Sequence, residues 1–312
     1  DGETIEFDWM GDKIIEWDAE TKEEIWSWNV FDHFNMEDYD VLGGTWFEAF
    51  NKTRFDWTHA NAIWFDEDDS AIYLSSRHLS RITKIEYPSG NVLWNLGHEL
   101  GSGDIDCGHD IGFSFQHSIT KLDNENILTF DNGNLSREFL NQDTKTSRSI
   151  EIDVTETESG CEAELDWEYV LPDYLYGSYS GNTQKLDNGN YLSTTIGGAG
   201  RSLEVDPNGN SIWQANYNLS LYESDDGLVY RAMRIPGLFP IAYSMILPQL
   251  DENLEMNLQD DDSLKVIINN NGDYQQIFNY ELIAENNGNG YNIDLIITPE
   301  HHPNYIKNSS FI

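Results

Sequence analysis

Two histidines, an asparagine and an arginine interrupt an otherwise repetitive sequence. His59 and Asn61 stand two apart in FDWTHANAIWF (55–65), His117 lies in FSFQHSITKL, and Arg77 follows YLSS in YLSSRH. A neutral imidazole is a competent nucleophile near pH 7. In an extended strand alternate side chains share a face, so His59, Asn61 and Ile63 are expected on one side and Ala60, Ala62 and Trp64 on the other. The plainer alternative is a set of polar side chains satisfied by nearby backbone, the usual fate of buried polar groups. For Arg77 it is a salt bridge to a surface carboxylate.

The elements that must position these residues are short strands. Three segments share one order of features: AIWFDEDDSAIYLSSRHLSRITKIEYPSGNVLW, SITKLDNENILTFDNGNLSREF continuing to GCEAELDW, and TQKLDNGNYLSTTIGGAGRSLEVDPNGNSIW. Each reads as four strands joined by Asp/Asn/Gly turns, with an arginine opening the third strand (Arg81, Arg148, Arg201) and a tryptophan in the fourth (Trp94, Trp167, Trp213). Asn and Gly tolerate the positive φ of hairpin turns. Four-stranded units repeating every 40 to 55 residues or so, with no convincing helical period, predict an all-β fold of the β-propeller type. The earlier KIIEWDAETKEEIWSW matches only the last two strands of a unit. The repeated arginines are expected to be structural, whereas chemistry is expected where the repeat is broken. His59 and His117 lie where two units begin, while the third reads SYSGNTQKL there. First strands line the channel of a propeller, so the two imidazoles are expected to face one another across it.

Composition bounds the setting. Against 17 Lys+Arg stand 56 Asp+Glu, a formal charge of −39 over 312 residues, which argues against nucleic acid as a partner and for a heavily solvated surface. Ten Trp and 24 Gly are unlike a disordered chain. The longest apolar run, GLFPIAYSMIL, is too short and Pro-broken to span a bilayer. Cys107 and Cys161 lack C-x-x-C or zinc-type spacing; a disulfide between them is the first expectation and two free thiols the alternative. His78, His98 and His109 read as exposed loop residues, and His301 and His302 as an exposed tail. The acidic turns DEDDS and GDIDCGHD lack calcium-loop spacing. No signal segment is visible, and the opening DGETIEFDW reads as the middle of a β pattern, so an upstream segment is expected. Residues 1–247 are expected to form the propeller, with GLVYRAMRIPGLFP as a closing strand pair. An acidic linker (248–262) and a small β segment (263–312) follow.

The stretches DWTHANAIWF…YLSSRHLSRITKIEYPSGNVLWNLG, FSFQHSITKLDNENILTFDNG and SLYESDDGLVYRAMRIP resemble the bacterial and archaeal arylsulfotransferases that use no nucleotide sulfate donor. The resemblance covers residues 13 to 240 or so. It implies a six-bladed propeller, of which this chain carries a part, and transfer of a sulfuryl group from a phenolic sulfate donor to a phenol acceptor with no cofactor. It further implies that His117 is transiently sulfated, that His59, Asn61 and Arg77 surround the sulfuryl group, and that His33, in WNVFDHFNMEDYD, is an additional site histidine. An extracellular or periplasmic location follows from the same likeness. The alternative is a non-catalytic propeller used for binding or self-assembly through open strand edges.

Overall fold

A computed structural model describes residues 6–158, 160–219, 227–235, 242–248, 265–272, 277–286 and 291–299. Where apolar and polar residues alternate between Asn/Asp/Gly turns, strands form. The first antiparallel sheet runs β5 (Ala60–Asp66), β6 (Ala71–Ser76), β7 (Arg81–Glu86) and β8 (Val92–Gly97). The second runs β9 (His117–Lys121), β10 (Ile127–Asp131), β11 (Arg148–Thr157) and β12 (Gly160–Val170), and the third β13 (Asn182–Lys185), β14 (Tyr191–Thr195), β15 (Arg201–Val205) and β16 (Ser211–Asn216). Each is a simple meander in chain order. Upstream, β2 (Lys13–Trp17) pairs with β3 (Glu24–Asn29), and β1 (Asp8–Met10) runs parallel to β4 (Arg54–Asp56).

The core lies between successive sheets. Ala62, Tyr73, Ile82 and Trp94 of the first interleave with Ile119, Ile127 and Ile150 of the second, and Leu128 and Phe130 of the second with Tyr191, Leu203 and Val205 of the third. Tryptophan indoles then tie one unit to the next: Trp28 Nε1 donates to Gly90 O at 2.9 Å, Trp94 Nε1 to Glu156 Oε1 at 3.0 Å and Trp167 Nε1 to Pro207 O at 3.0 Å. Since Trp28 of β3 repeats the role of Trp94 and Trp167, β2 and β3 stand as the last two strands of a unit, as the sequence pattern predicts. The first strands of the three sheets, β5, β9 and β13, lie side by side, which sets their first residues next to one another.

Of the three repeat arginines, two form buried ion pairs, while Arg201 donates its Nε to Gly198 O at 3.2 Å. Arg81, at the start of β7, pairs with Asp38 at 2.6 Å, and Arg148, at the start of β11, with Asp131 at 2.7 Å; all four side chains are nearly or fully buried. A buried Glu151 bridges the second and third sheets through Lys185 (2.8 Å) and Tyr191 (2.7 Å). Cys107 and Cys161 are disulfide-bonded, joining the segment after β8 to the start of β12.

Among the described residues three short α-helices depart from the all-strand reading: α1 (Val30–His33), α2 (Thr45–Lys52) and α3 (Ser136–Phe139). In α2 the spacing of Trp46 and Phe50 presents both rings to Phe7, a pairing of residues four apart that a helix brings together. The stretch 227–235 is not a strand pair but an irregular segment with a single bridge residue. The chain divides into compact units Asp1–Met233 and Arg234–Ile312. The stretch after Met233 thus groups with the C-terminal residues: β17 (Tyr243–Ile246) pairs with β18 (Ile267–Asn270), while β19 (Phe278–Asn286) pairs with β20 (Tyr291–Pro299). Within the acidic linker at 248–262, residues 249–262 lie outside the described residues, as do His301 and His302. Among the described residues no helix is long and apolar enough to cross a membrane.

Candidate active site

Residues 55–65 do not form one strand. β4 ends at Asp56, the chain turns through Trp57 and Thr58, and His59 takes a φ of +50° before β5 begins at Ala60. The register then slips, so that Ala60 faces Ser76 and Ala62 faces Ser75, with Asn61 as the extra residue of a bulge. A bulge redirects side chains and frees backbone groups from the ladder. The expected common face of His59 and Asn61 is therefore replaced by two separate settings. Asn61 is buried and its Nδ2 donates to Gln116 O at 2.7 Å, while its Oδ1 has no partner. His59 is partly exposed, and its Nδ1 lies 2.5 Å from Asp56 Oδ2.

His117, the first residue of β9, is almost wholly buried. Its Nδ1 lies 2.7 Å from Asn132 Oδ1 and 3.2 Å from Phe115 O. Both are acceptors, so Nδ1 carries the proton and Nε2 the lone pair. Nε2 accepts the Ser180 N–H at 3.2 Å. Burial, partly opposed by the Asn132 hydrogen bond and reinforced by the charges of Arg77 and His59, pushes the His117 pKa down to about 3. At neutral pH the ring is uncharged.

Arg77 follows β6, with its guanidinium 4.7 Å from the centre of the Phe115 ring and Nη2 donating to Ser178 O at 3.1 Å. Its Nε is buried without a partner, and among the described residues no carboxylate pairs with it. Burial lowers its pKa while Asp56, Glu48 and Asp40 act in the opposite sense.

Sequence reading missed His78. It is not an exposed loop residue: it is buried, its Nδ1 lies 2.6 Å from Asp56 O, and its ring faces that of His59 with centroids 4.5 Å apart. Burial, then Arg77 and His59, brings its pKa down to about 4. A signal was available, since His78 directly follows Arg77, but adjacency in a loop does not reveal burial. Asp56 was missed as well. Burial raises its pKa, yet the His59 hydrogen bond and charge outweigh this and leave it below the usual carboxylate value. His33 is not brought to this group: exposed at the end of α1, it stacks on Trp28 with centroids 4.6 Å apart. His109 is exposed as expected, whereas His98 is half-buried against His109 and Phe139.

Asp56, His59 and His78 each place one donor atom within 4.8 Å of the others. Two donors on one divalent ion with bonds of about 2.1 Å sit about 3 Å apart. The 2.5 Å separation of Asp56 and His59 is instead that of a charge-assisted hydrogen bond. The group is thus built as a hydrogen-bonded array, with Asp56 holding both rings.

An arylsulfotransferase (ASST) family model matches residues 4–231. The chain belongs to this arylsulfotransferase family. The match takes in all three four-stranded sheets and every residue of the array around His117, and ends at Arg231. No curated protein matches significantly. Among solved structures, a protein of unknown function from Bacteroides caccae aligns at 14% identity with a TM-score of 0.34, over 65% of this chain and 54% of its own length. The chain thus spans about half of that protein, and the likeness carries no argument.

Proposed function

We propose that this arylsulfotransferase-family protein is an enzyme that moves a sulfuryl group from an aryl sulfate to a phenol through a sulfated His117. The observation that carries the reading is Arg77. In a chain with more than three acidic groups for every Lys or Arg, its Nε is buried without a partner, among the described residues no carboxylate forms a direct ion pair with it, and its charge acts on the neutral, buried imidazole of His117. Such a cation is placed to meet an anion that the folded chain does not itself supply.

Sulfuryl transfer, like phosphoryl transfer, passes a group in line between donor and acceptor atoms with charge on three equatorial oxygens. His117 Nε2 attacks sulfur, the S–O bond to the phenol breaks, and the phenolate leaves with the bonding pair. The Ser180 N–H, which caps Nε2 at rest, gives up the lone pair and then faces the transferred oxygens. Arg77 neutralises those oxygens, a contribution on the order of 3 kcal/mol for one well-placed donor. His59, oriented by Asp56, is placed to return a proton to the leaving phenolate and to take one from the incoming phenol. An acceptor phenol then discharges the sulfohistidine, regenerating neutral His117. The sheets and their indole ties fit blades of a propeller whose inner strands line the channel, and the disulfide fits an extracytoplasmic setting.

The test is a burst experiment. Mixing with p-nitrophenyl sulfate in the absence of acceptor should release about one p-nitrophenolate per site and leave an acid-labile SO3 increment on the peptide containing His117. His117→Asn should lose the burst, slowing transfer by about 1,000-fold or more. An aryl sulfate that binds without burst or labelled histidine would favour a non-catalytic binding propeller.

A further inference from the structure

The segment Val229–Ala232 lies across the inner strands like a strap. Gly181 N–H donates to Tyr230 O at 2.9 Å, and Ala232 and Asn182 exchange two hydrogen bonds of 3.0 Å each. Gly181 itself is packed against the second sheet: at its φ of +101°, a Cβ would lie 2.6 Å from the Phe130 ring. Pinned in this way, the strap sets the Tyr230 ring edge-on to His117, centroids 6.2 Å apart, and sends Arg231 back to the first sheet. There Arg231 Nη2 donates to the backbone carbonyl of Asn61 at 2.8 Å, while its Nε is buried and unpartnered.

Asn61 is the bulge residue, so its carbonyl is one that the ladder leaves free. Its side chain reaches the other way, to the carbonyl of Gln116, the residue before His117. That contact also fixes the amide orientation, because the flipped amide would set oxygen against oxygen. A continuous path therefore runs from the guanidinium through Asn61 to the backbone that carries the nucleophile. We propose that Arg231 is a positioning residue of the His117 site, acting through Asn61: it clamps the bulge so that the Asn61 amide stays locked on Gln116. Removing the clamp leaves the unladdered carbonyl of Asn61 without this donor, and the bulge held by the Asn61–Gln116 contact and the flanking ladder.

The kinetic arm of the test rests on the sulfuryl-transfer reading, and the structural arm does not. In 15N-labelled protein, Arg231→Gln should speed solvent exchange of the Asn61 side-chain amide protons by about tenfold, the size expected for losing a hydrogen bond from a charged donor, and Arg231→Lys by about threefold. In burst kinetics with p-nitrophenyl sulfate, Arg231→Gln should slow the burst by about tenfold, with the donor KM within about twofold. Asn61→Ala should slow the burst too, and the double variant should be no slower than Asn61→Ala, since residues acting in series are not additive. Unchanged Asn61 exchange in Arg231→Gln, or single effects that multiply in the double variant, overturns the proposal. If Arg231→Gln fails to fold, wild-type exchange and wild-type burst rate in Arg231→Lys overturn it equally. A wild-type protein without a burst removes the sulfuryl-transfer reading and leaves the amide exchange to decide the role of Arg231.

Discussion

Arg81 and Arg148 are built differently from Arg77 and Arg231, although all four arginines lie in the same unit. The first pair open the third strands of their sheets and each meets a buried aspartate, Asp38 and Asp131. Among the described residues the second pair donate to backbone carbonyls, those of Ser178 and Asn61, and each keeps a buried Nε without a partner. In so acidic a chain a carboxylate is the easiest partner to provide. Arg81 and Arg148 thus neutralise buried aspartates, whereas Arg77, whose charge acts on His117, and Arg231, on the bulge at Asn61, form no direct ion pair among the described residues.

Breaking the first class should have the largest effect on the fold. Arg148→Met strands a buried Asp131 and should cost about 3–5 kcal/mol of stability, read as a lower denaturant midpoint. The burst per folded molecule should not change. Loss of activity without loss of stability would place Arg148 in the chemistry and erase the distinction.

The second class should respond the other way. Arg77→Lys keeps the charge but loses the planar fork that can hold two oxygens at once. We expect kcat to fall by about 100-fold, roughly 2.7 kcal/mol of transition-state stabilisation. Because the lysine keeps the charge, the unfolding midpoint should move less than it does for Arg148→Met. Wild-type turnover would return Arg77 to a structural role.

A smaller effect sharpens the comparison through pH. His78 and His117 have folded pKa values of about 4 and about 3, lowered first by burial from the ordinary 6.5. The unfolded chain therefore binds more protons than the folded one between these limits. The stability that they contribute is complete above pH 6.5 and declines as pH falls, by at most about 1.4 kcal/mol per pH unit for each group. Glu151 acts lower still. Burial raises its pKa, but Lys185, Tyr191, Asn124 and Asn126 outweigh this and bring it to about 2. Its contribution is lost only as pH drops from 4.5 toward 2. Denaturant midpoints at pH 7, 5.5 and 4.5 should fall for the wild type and fall less for His78→Gln. Parallel slopes would mean that His78 is not held neutral.

Much of the molecule was legible in its sequence. The alternating strands, the Asn/Gly turns, the third-strand arginines and the closing tryptophans recur in a fixed order. Hairpin pairing is a local consequence of that order, so the sheets, and with them the placement of His117 and His59 where first strands begin, could be read directly, whereas the indole ties join residues 40 to 62 apart. The disulfide followed from there being two cysteines and no metal spacing. Hidden were the features that depend on where separate segments meet. A bulge at Asn61 obeys the packing of β5 on β6, and no residue in FDWTHANAIWF announces it. His78 looked exposed because a loop position says nothing of the sheet that covers it. His33 matched by order along the chain, yet an aromatic stack on Trp28 was available to it nearby. Arg231 lies 170 residues from its partner at Asn61. Residue types and local periodicity determined the strands and the chemistry on offer. Tertiary structure alone decided which groups were buried, which charges were neutralised and which nitrogen of His117 kept its lone pair, because burial and hydrogen-bond partners come from segments distant in sequence.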